Sequence, residues 1–254
     1  MKHRMLQTVR ETATRLMGSA LDLAYPPHCA SCGRSLREAG GNEFLCPACI
    51  SDLPFVSDPR CPKCGHQLAE YTKDSPRCRS CEGKSLFFVS ATAPFRYEGS
   101  VREMILQLKL GKQTFLALPM SHYLTEHVGR CGTMAGIDAV QPVPLHWRRA
   151  LKRSFNQSQL IAEQAAQHFH LPLVNALKRT VATPSQTAVG RLQRMENMRG
   201  VFALRKKAGI DGKTLLLIDD VLTTGATCAE CSRVLMKGGA KAVYVATVAR
   251  TMIS

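Results

Sequence analysis

Two groups of residues in this sequence have the types and spacing to do chemistry. The first is an acidic pair, Asp219 and Asp220, followed closely by Thr223, Thr224, Gly225, Ala226 and Thr227. Carboxylates so placed can hold vicinal hydroxyls or a hydrated divalent cation. Hydroxyls and free backbone N–H groups at the start of a helix favour a phosphate, because the helix dipole is positive there. The second group is eight cysteines: Cys29, Cys32, Cys46, Cys49, Cys61, Cys64, Cys78 and Cys81. They form two halves displaced by 32 positions, each with the pattern C-x2-C-x13-C-x2-C.

Thiolates are soft ligands, and a two-residue spacer lets both sulfurs of a knuckle face one ion. Each half therefore predicts a closed, tetrahedral, structural zinc site, two Zn²⁺ in all. The equal displacement makes two sequential ribbons the more natural arrangement, although eight thiols also allow interlaced sets. Gly33 and Gly65, each just after the second cysteine of its half, suit the positive φ of such turns. His28 and His66 adjoin knuckles, but complete cysteine sets leave them outside the ligand shell. A segment this poor in aliphatic residues draws much of its folding free energy from metal.

The elements that must position the acidic pair can be read around it. Leu215 to Ile218, behind Gly212, are too few apolar residues for an independent helix and predict a central strand buried on both faces, ended by the two carboxylates. A helix is expected from about Ala226 to Lys237, with Cys228 and Cys231 on its buried face as a core pair. Further strands are expected near 138 to 143 and 242 to 248, and helices around Val101 to Leu108, Met120 to Val128 and Leu160 to Phe169. Alternating strands and helices of this kind build an α/β domain with a mainly parallel sheet and helices on both faces. Its ligand belongs outside the carboxyl ends of the strands. Arg102, Lys109 and Lys112 on the first of these helices read as a solvated face, and Cys131 as structural or incidental.

Basic residues crowd the loop after the strand at 138 to 143. His146, Arg148, Arg149, Lys152 and Arg153 precede Phe155-Asn156-Gln157, and guanidinium groups grip a pyrophosphate with paired donors. Residues 180 to 200, with Arg191, Arg194 and Arg199 and no apolar period, read as a mobile cover or as a basic loop for nucleic-acid phosphates. Leu6, Val9, Ala13, Leu16, Met17, Ala20 and Leu23 predict an amphipathic helix within residues 1–25. A cysteine module over 26–83 and a larger domain over 84–254 follow, the boundary marked by the change to β-formers at Lys84 to Ala93.

The formal net charge of +15 concentrates anions and favours a phosphorylated substrate or a polyanion such as single-stranded DNA. Of the eleven cysteines, eight are in knuckles, and no signal-peptide segment precedes them, so metal binding in a reducing cytoplasm fits better than a disulfide framework. No run approaches the ~20 apolar residues of a membrane helix.

The stretch from Thr214 to Thr227 resembles the 5-phosphoribosyl-1-pyrophosphate (PRPP) loop of type I phosphoribosyltransferases. That resemblance implies that Asp219 and Asp220 take the ribose hydroxyls, that the Thr223–Thr227 turn takes the 5-phosphate, and that Mg²⁺ accompanies PRPP. Thr223 stands where purine-salvage members carry a further Asp, so purine chemistry is not implied, and no catalytic residue is assigned. Residues 142 to 162, Thr183-Pro-Ser-Gln-Thr187, Arg191, Arg194, Asn197 and Gly200-Val-Phe202, with the cysteine module, resemble the ComF/GntX family. This family is phosphoribosyltransferase-like and linked to DNA uptake in competence and to use of external DNA. The resemblance implies a double zinc-ribbon-like module before a phosphoribosyltransferase-like domain, with competence or DNA-uptake proteins as partners. One departure is Arg153-Ser154, where the family usually reads Arg-Gly.

Overall fold

The computed structural model describes residues 27–68, 78, 81–82, 84–132, 136–146, 154–181, 198–206 and 208–252. The helix expected within residues 1–25, Arg148, Arg149 and Arg153, and the matches at 183–197 lie outside the described residues. The chain divides into two compact units that meet between Asp52 and Leu53.

The first unit carries one ribbon. His28 and Ser35 bridge antiparallel around the first knuckle, Gly33 takes φ +73°, and its N–H returns to Cys29 O at 2.8 Å. Helix α1 (Leu36–Ala39) follows. The Asn42 side chain then accepts from the N–H groups of Phe44 (2.9 Å) and Leu45 (2.7 Å), a local bond typical of Asn turns. This brings Cys46 to the N-cap of α2 (Pro47–Ser51), where Pro47 fits because a first-turn residue needs no N–H partner.

The second unit opens on the same ribbon 32 residues later. Arg60 and Gln67 bridge antiparallel, Gly65 takes φ +67°, and its N–H meets Cys61 O at 2.8 Å. Even the outer bonds repeat: Leu36 N–H to Pro27 O at 2.8 Å, Leu68 N–H to Pro59 O at 2.7 Å. Where the copies part is in their surroundings. Arg250, only 2% exposed, donates to Cys64 O, and its Nε reaches His66 Nδ1 at 3.5 Å. Ala91 N–H meets Lys63 O at 3.0 Å, and the Lys63 ammonium caps the carbonyls of Phe88 and Val89.

The rest of this unit is a parallel sheet with helices. In chain order come β1 (Ala91–Thr92), β2 (Phe95–Arg96), α3 (Gly99–Leu110), α4 (Ala117–Arg130), β3 (Ala139–Pro142), α5 (Gln157–His168), β4 (Leu177–Arg179), β5 (Phe202–Leu204), β6 (Thr214–Leu222), α6 (Ala226–Lys237) and β7 (Ala242–Arg250). The sheet order is β1-β7-β6-β3, with β2 continuing along the same edge of β7, and every pairing is parallel. Leu215 to Ile218 are all fully buried, as a central strand between two covered faces requires. Leu215 and Leu217 join Cys228, Cys231 and Leu235 of α6 in one cluster. Leu216 and Ile218 leave on the opposite face, where α5 packs on β6, β3 and α4. The expected core role of Cys228 and Cys231 is thus observed, and β4 pairs antiparallel with β5 in a separate two-stranded sheet.

One boundary differs from the sequence expectation. The carboxylates do not end β6; the strand runs through them to Leu222. Pairing with β3 stops at Pro142–Ile218, while pairing with β7 continues to Leu222–Arg250. The longer neighbour keeps the strand extended beyond the run from Leu215 to Ile218, and Asp219 and Asp220 lie past the last residue paired with β3.

Candidate functional site

At the carboxyl end of β6 the chain passes through Thr223 and Thr224 to Gly225, which stands at the N-cap of α6 with φ +79°. Glycine alone adopts that left-handed conformation without cost, and it is what turns a strand into a helix within three residues here. The Thr224 hydroxyl accepts from Ala226 N–H at 3.3 Å. Thr223 is exposed and Thr227 half-buried, so the turn presents hydroxyls at the positive end of a 12-residue helix.

The carboxylates have different partners. Asp219 Oδ1 accepts from Ser158 Oγ at 2.8 Å and from the N–H of Asp220 at 2.9 Å. Burial, and then the charge of Asp220 beside it, push the Asp219 carboxyl up to about 7, while Ser158 and Lys109 act the other way. Asp220 is 5% exposed and forms an ion pair with Lys109 at 2.8 Å. Burial opposes the Lys109 charge, but the Asp220 carboxylate more than offsets this and holds the ammonium above the usual lysine range.

Ser158 is placed by the start of α5. Asn156 is the N-cap, accepting from Ser158 N–H at 3.2 Å while its own amide donates to Val143 O at 3.0 Å. The helix is thereby fixed to the end of β3. Just before it, Ser154 takes φ +69°. The position where the ComF family usually has glycine is a left-handed turn, and this chain makes it with a serine. Lys109 comes from the last turn of α3.

Lys109 and Ser158 are the site residues that sequence reasoning missed. Lys109 does not share the solvated face expected for it with Arg102 and Lys112: it follows buried Leu108 and lies four residues after buried Ile105, so helical spacing sets it on the apolar flank. Nothing in the local pattern marked Ser158. Of the basic loop, His146 is described and buried.

Each cysteine set converges. The four sulfurs of Cys29, Cys32, Cys46 and Cys49 lie within 4.8 Å of one another, as do those of Cys61, Cys64, Cys78 and Cys81. The ribbons are therefore sequential. Separations of 3.8 Å between Cys32 and Cys46, 3.5 Å between Cys64 and Cys78, and 3.7 Å between Cys78 and Cys81 match the edge of a tetrahedron built on Zn–S bonds of about 2.3 Å. Cys46 N–H points at Cys29 Sγ and Cys78 N–H at Cys61 Sγ, both at 3.4 Å, bonds that stabilise thiolate ligands. The donor set, number and spacing fit structural zinc, and all eleven cysteines are free of disulfides. His28 is exposed and His66 is engaged with Arg250, so neither belongs to a ligand set.

Among the described residues no helix is long and apolar enough to cross a membrane.

Fold and site together define a phosphoribosyltransferase-like protein with a double zinc ribbon. Residues 20–82 match the double zinc ribbon domain and residues 156–254 the phosphoribosyl transferase domain. The chain is 30% identical over 228 residues to the DNA utilization protein YhgH of Escherichia coli (strain K12), covering 88% of this chain and 90% of the relative. It is 34% identical over 115 residues to competence protein F of Haemophilus influenzae, covering 44% of this chain and 50% of the relative. Over 111 residues it is 32% identical to competence protein ComFC of Bacillus subtilis, with 43% of each chain covered. The chain belongs to the ComF family.

Proposed function

We propose that the carboxyl end of β6 binds PRPP or a related ribose 5-phosphate, and that the protein serves the uptake or use of external DNA. In this reading the acidic end of the strand meets the vicinal hydroxyls and the Thr223–Thr227 turn holds the 5-phosphate. Arg148, Arg149 and Arg153 bind the pyrophosphate, and Mg²⁺ enters with that pyrophosphate. The observation that carries the reading is the junction itself: an acidic pair at the carboxyl end of a central strand, past its pairing with β3, then a left-handed glycine and a helix N-terminus. That order supplies hydroxyl acceptors and phosphate donors a few residues apart. Residues 26–83 would act as the ribbon module and 84–254 as the ligand-binding domain, although compactness alone divides the chain at Asp52.

The DNA role rests on the names of the relatives and on the +15 charge, which favours single-stranded DNA as a direct partner. Calorimetry with PRPP, ribose 5-phosphate and inorganic phosphate, each with and without Mg²⁺, tests the site. Binding of all three, tightest for PRPP with Mg²⁺, is expected; wild-type protein that binds none of them sinks the ribose-phosphate reading.

A further inference from the structure

Successive side chains of a strand leave on opposite faces, so adjacent carboxylates on β6 need not share a task. Their surroundings differ. Asp220 is 5% exposed and paired with an ammonium group at 2.8 Å, the Lys109 side chain being itself only 20% exposed. A ligand that displaced Lys109 would leave its buried ammonium uncompensated, so a sugar hydroxyl is a poor competitor for Asp220 Oδ2. Asp219 is more exposed. Both of its hydrogen bonds, from Ser158 and from the backbone, fall on Oδ1, which leaves Oδ2 for a ligand.

We propose that the two carboxylates divide the work: Asp219 alone meets the vicinal hydroxyls, while Asp220 is a positioning residue that fixes the Lys109 ammonium beside it, so that Asp219 is the carboxylate left to the ligand. This rests on the ribose-phosphate reading above. Two unpaired carboxylates side by side would compete for one proton; a lysine committed to one of them eases the competition. Among the described residues, the groups that face Asp219 are Asp220 on its own strand, Lys109 from α3, Ser158 from α5, and Cys228 and Cys231 from α6. Of these Lys109 is the cation, and burial together with Asp220 already pushes the Asp219 carboxyl up to about 7. The position of Lys109 therefore decides whether Asp219 is charged at neutral pH.

Calorimetric titration of the full chain with ribose 5-phosphate, and separately with inorganic phosphate, from about pH 6 to about pH 9 tests the proposal. Lys109→Met should displace the rise of ribose 5-phosphate affinity upward by about one pH unit, roughly a tenfold loss at neutral pH. Lys109→Arg keeps the pair and should restore the profile. Lys109→Met combined with Asp220→Asn removes both charges and should recover most of what Lys109→Met loses. Inorganic phosphate, held by the turn, should bind all of them alike. An unshifted profile in Lys109→Met overturns the proposal, and so does a double variant as weak as Lys109→Met, which would mean that Asp220 itself touches the ligand. Should Lys109→Met unfold, the arginine and double variants leave no lone buried charge, and the double variant decides alone: affinity near wild type supports the proposal, and a loss of about tenfold or more overturns it. Wild-type protein that binds phosphate but not ribose 5-phosphate at any pH overturns the ribose-phosphate reading and this proposal with it.

Discussion

Ionising Asp219 is harder in the folded chain than in water, and the sign of that difference fixes a dependence of stability on pH. The native carboxyl titrates at about 7, the unfolded one near about 3.9. Below the lower value both states hold the proton; between the two the unfolded chain has released it and the native chain has not. Stability therefore falls as pH rises through that window and levels off above it. Asp219→Asn removes the titrating group and should flatten the fall, gaining about 1 to 2 kcal/mol at pH near 8 after allowance for partial exposure. Urea melts across the pH range measure it. At Ser154 the φ of +69° strains an L-residue by about 1 to 2 kcal/mol, from which the extra unfolded-state freedom of glycine must be subtracted. Ser154→Gly should thus stabilise by about 0.5 to 1 kcal/mol in the same melts. The acids, threonines and glycine were legible because their order along the chain is their order in the site. Lys109 and Ser158 arrive from 111 and 61 positions away from their partners, contacts that only tertiary packing creates.

At the scale of elements, the second ribbon is bound to the sheet it precedes. Arg250 closes β7 and holds the carbonyl of Cys64, Ala91 of β1 bonds to Lys63 O at 3.0 Å, and a side chain on Gly65 would meet Ala91 O at 2.8 Å. Losing this metal removes the neighbour of a sheet edge as well as a ribbon. Cys64→Ser should destabilise the sheet-bearing unit by about 2 kcal/mol or more. Cys32→Ser should leave that unit's melting unchanged and lose structure only in residues of the first unit; hydrogen exchange separates the two outcomes. Long elements were readable: α6 occupies the expected 226–237 because Gly225 and Gly238 bracket a buried stripe. β1, β2, β4 and β5, at two or three residues each, are too short to display a period. β6 outran its apolar run because β7 was there to pair with it.

Over the whole molecule the excess of 34 basic over 19 acidic residues sets a field that no single site explains. If it serves single-stranded DNA, affinity should fall with salt at a log–log slope of about −0.7 per phosphate neutralised, with little preference for sequence. Replacing Arg148 and Arg149 together should flatten that slope by about 1.4. Filter binding across a salt series checks both, and salt-independent affinity would exclude DNA as a direct partner.

The 32-residue duplication has one more consequence, in the time domain. The two cysteine cages share ligand set, bond pattern and turn geometry, yet Cys32 is exposed and Cys49 half-buried, while all four sulfur ligands of the second cage are buried. A chelator or an oxidant must reach a sulfur before it can displace or modify it, so access and not affinity sets the order of events. Zinc release to a chromogenic chelator should be biphasic, one equivalent leaving fast and the other at the rate at which the sheet-bearing unit opens. Equal amplitudes with a single rate would show that both cages breathe together. A duplicated module of one chemistry would thus hold a labile ion and an inert one, and the first ribbon is where the chain would register a change in zinc supply or in thiol oxidation before its sheet-bearing unit is disturbed.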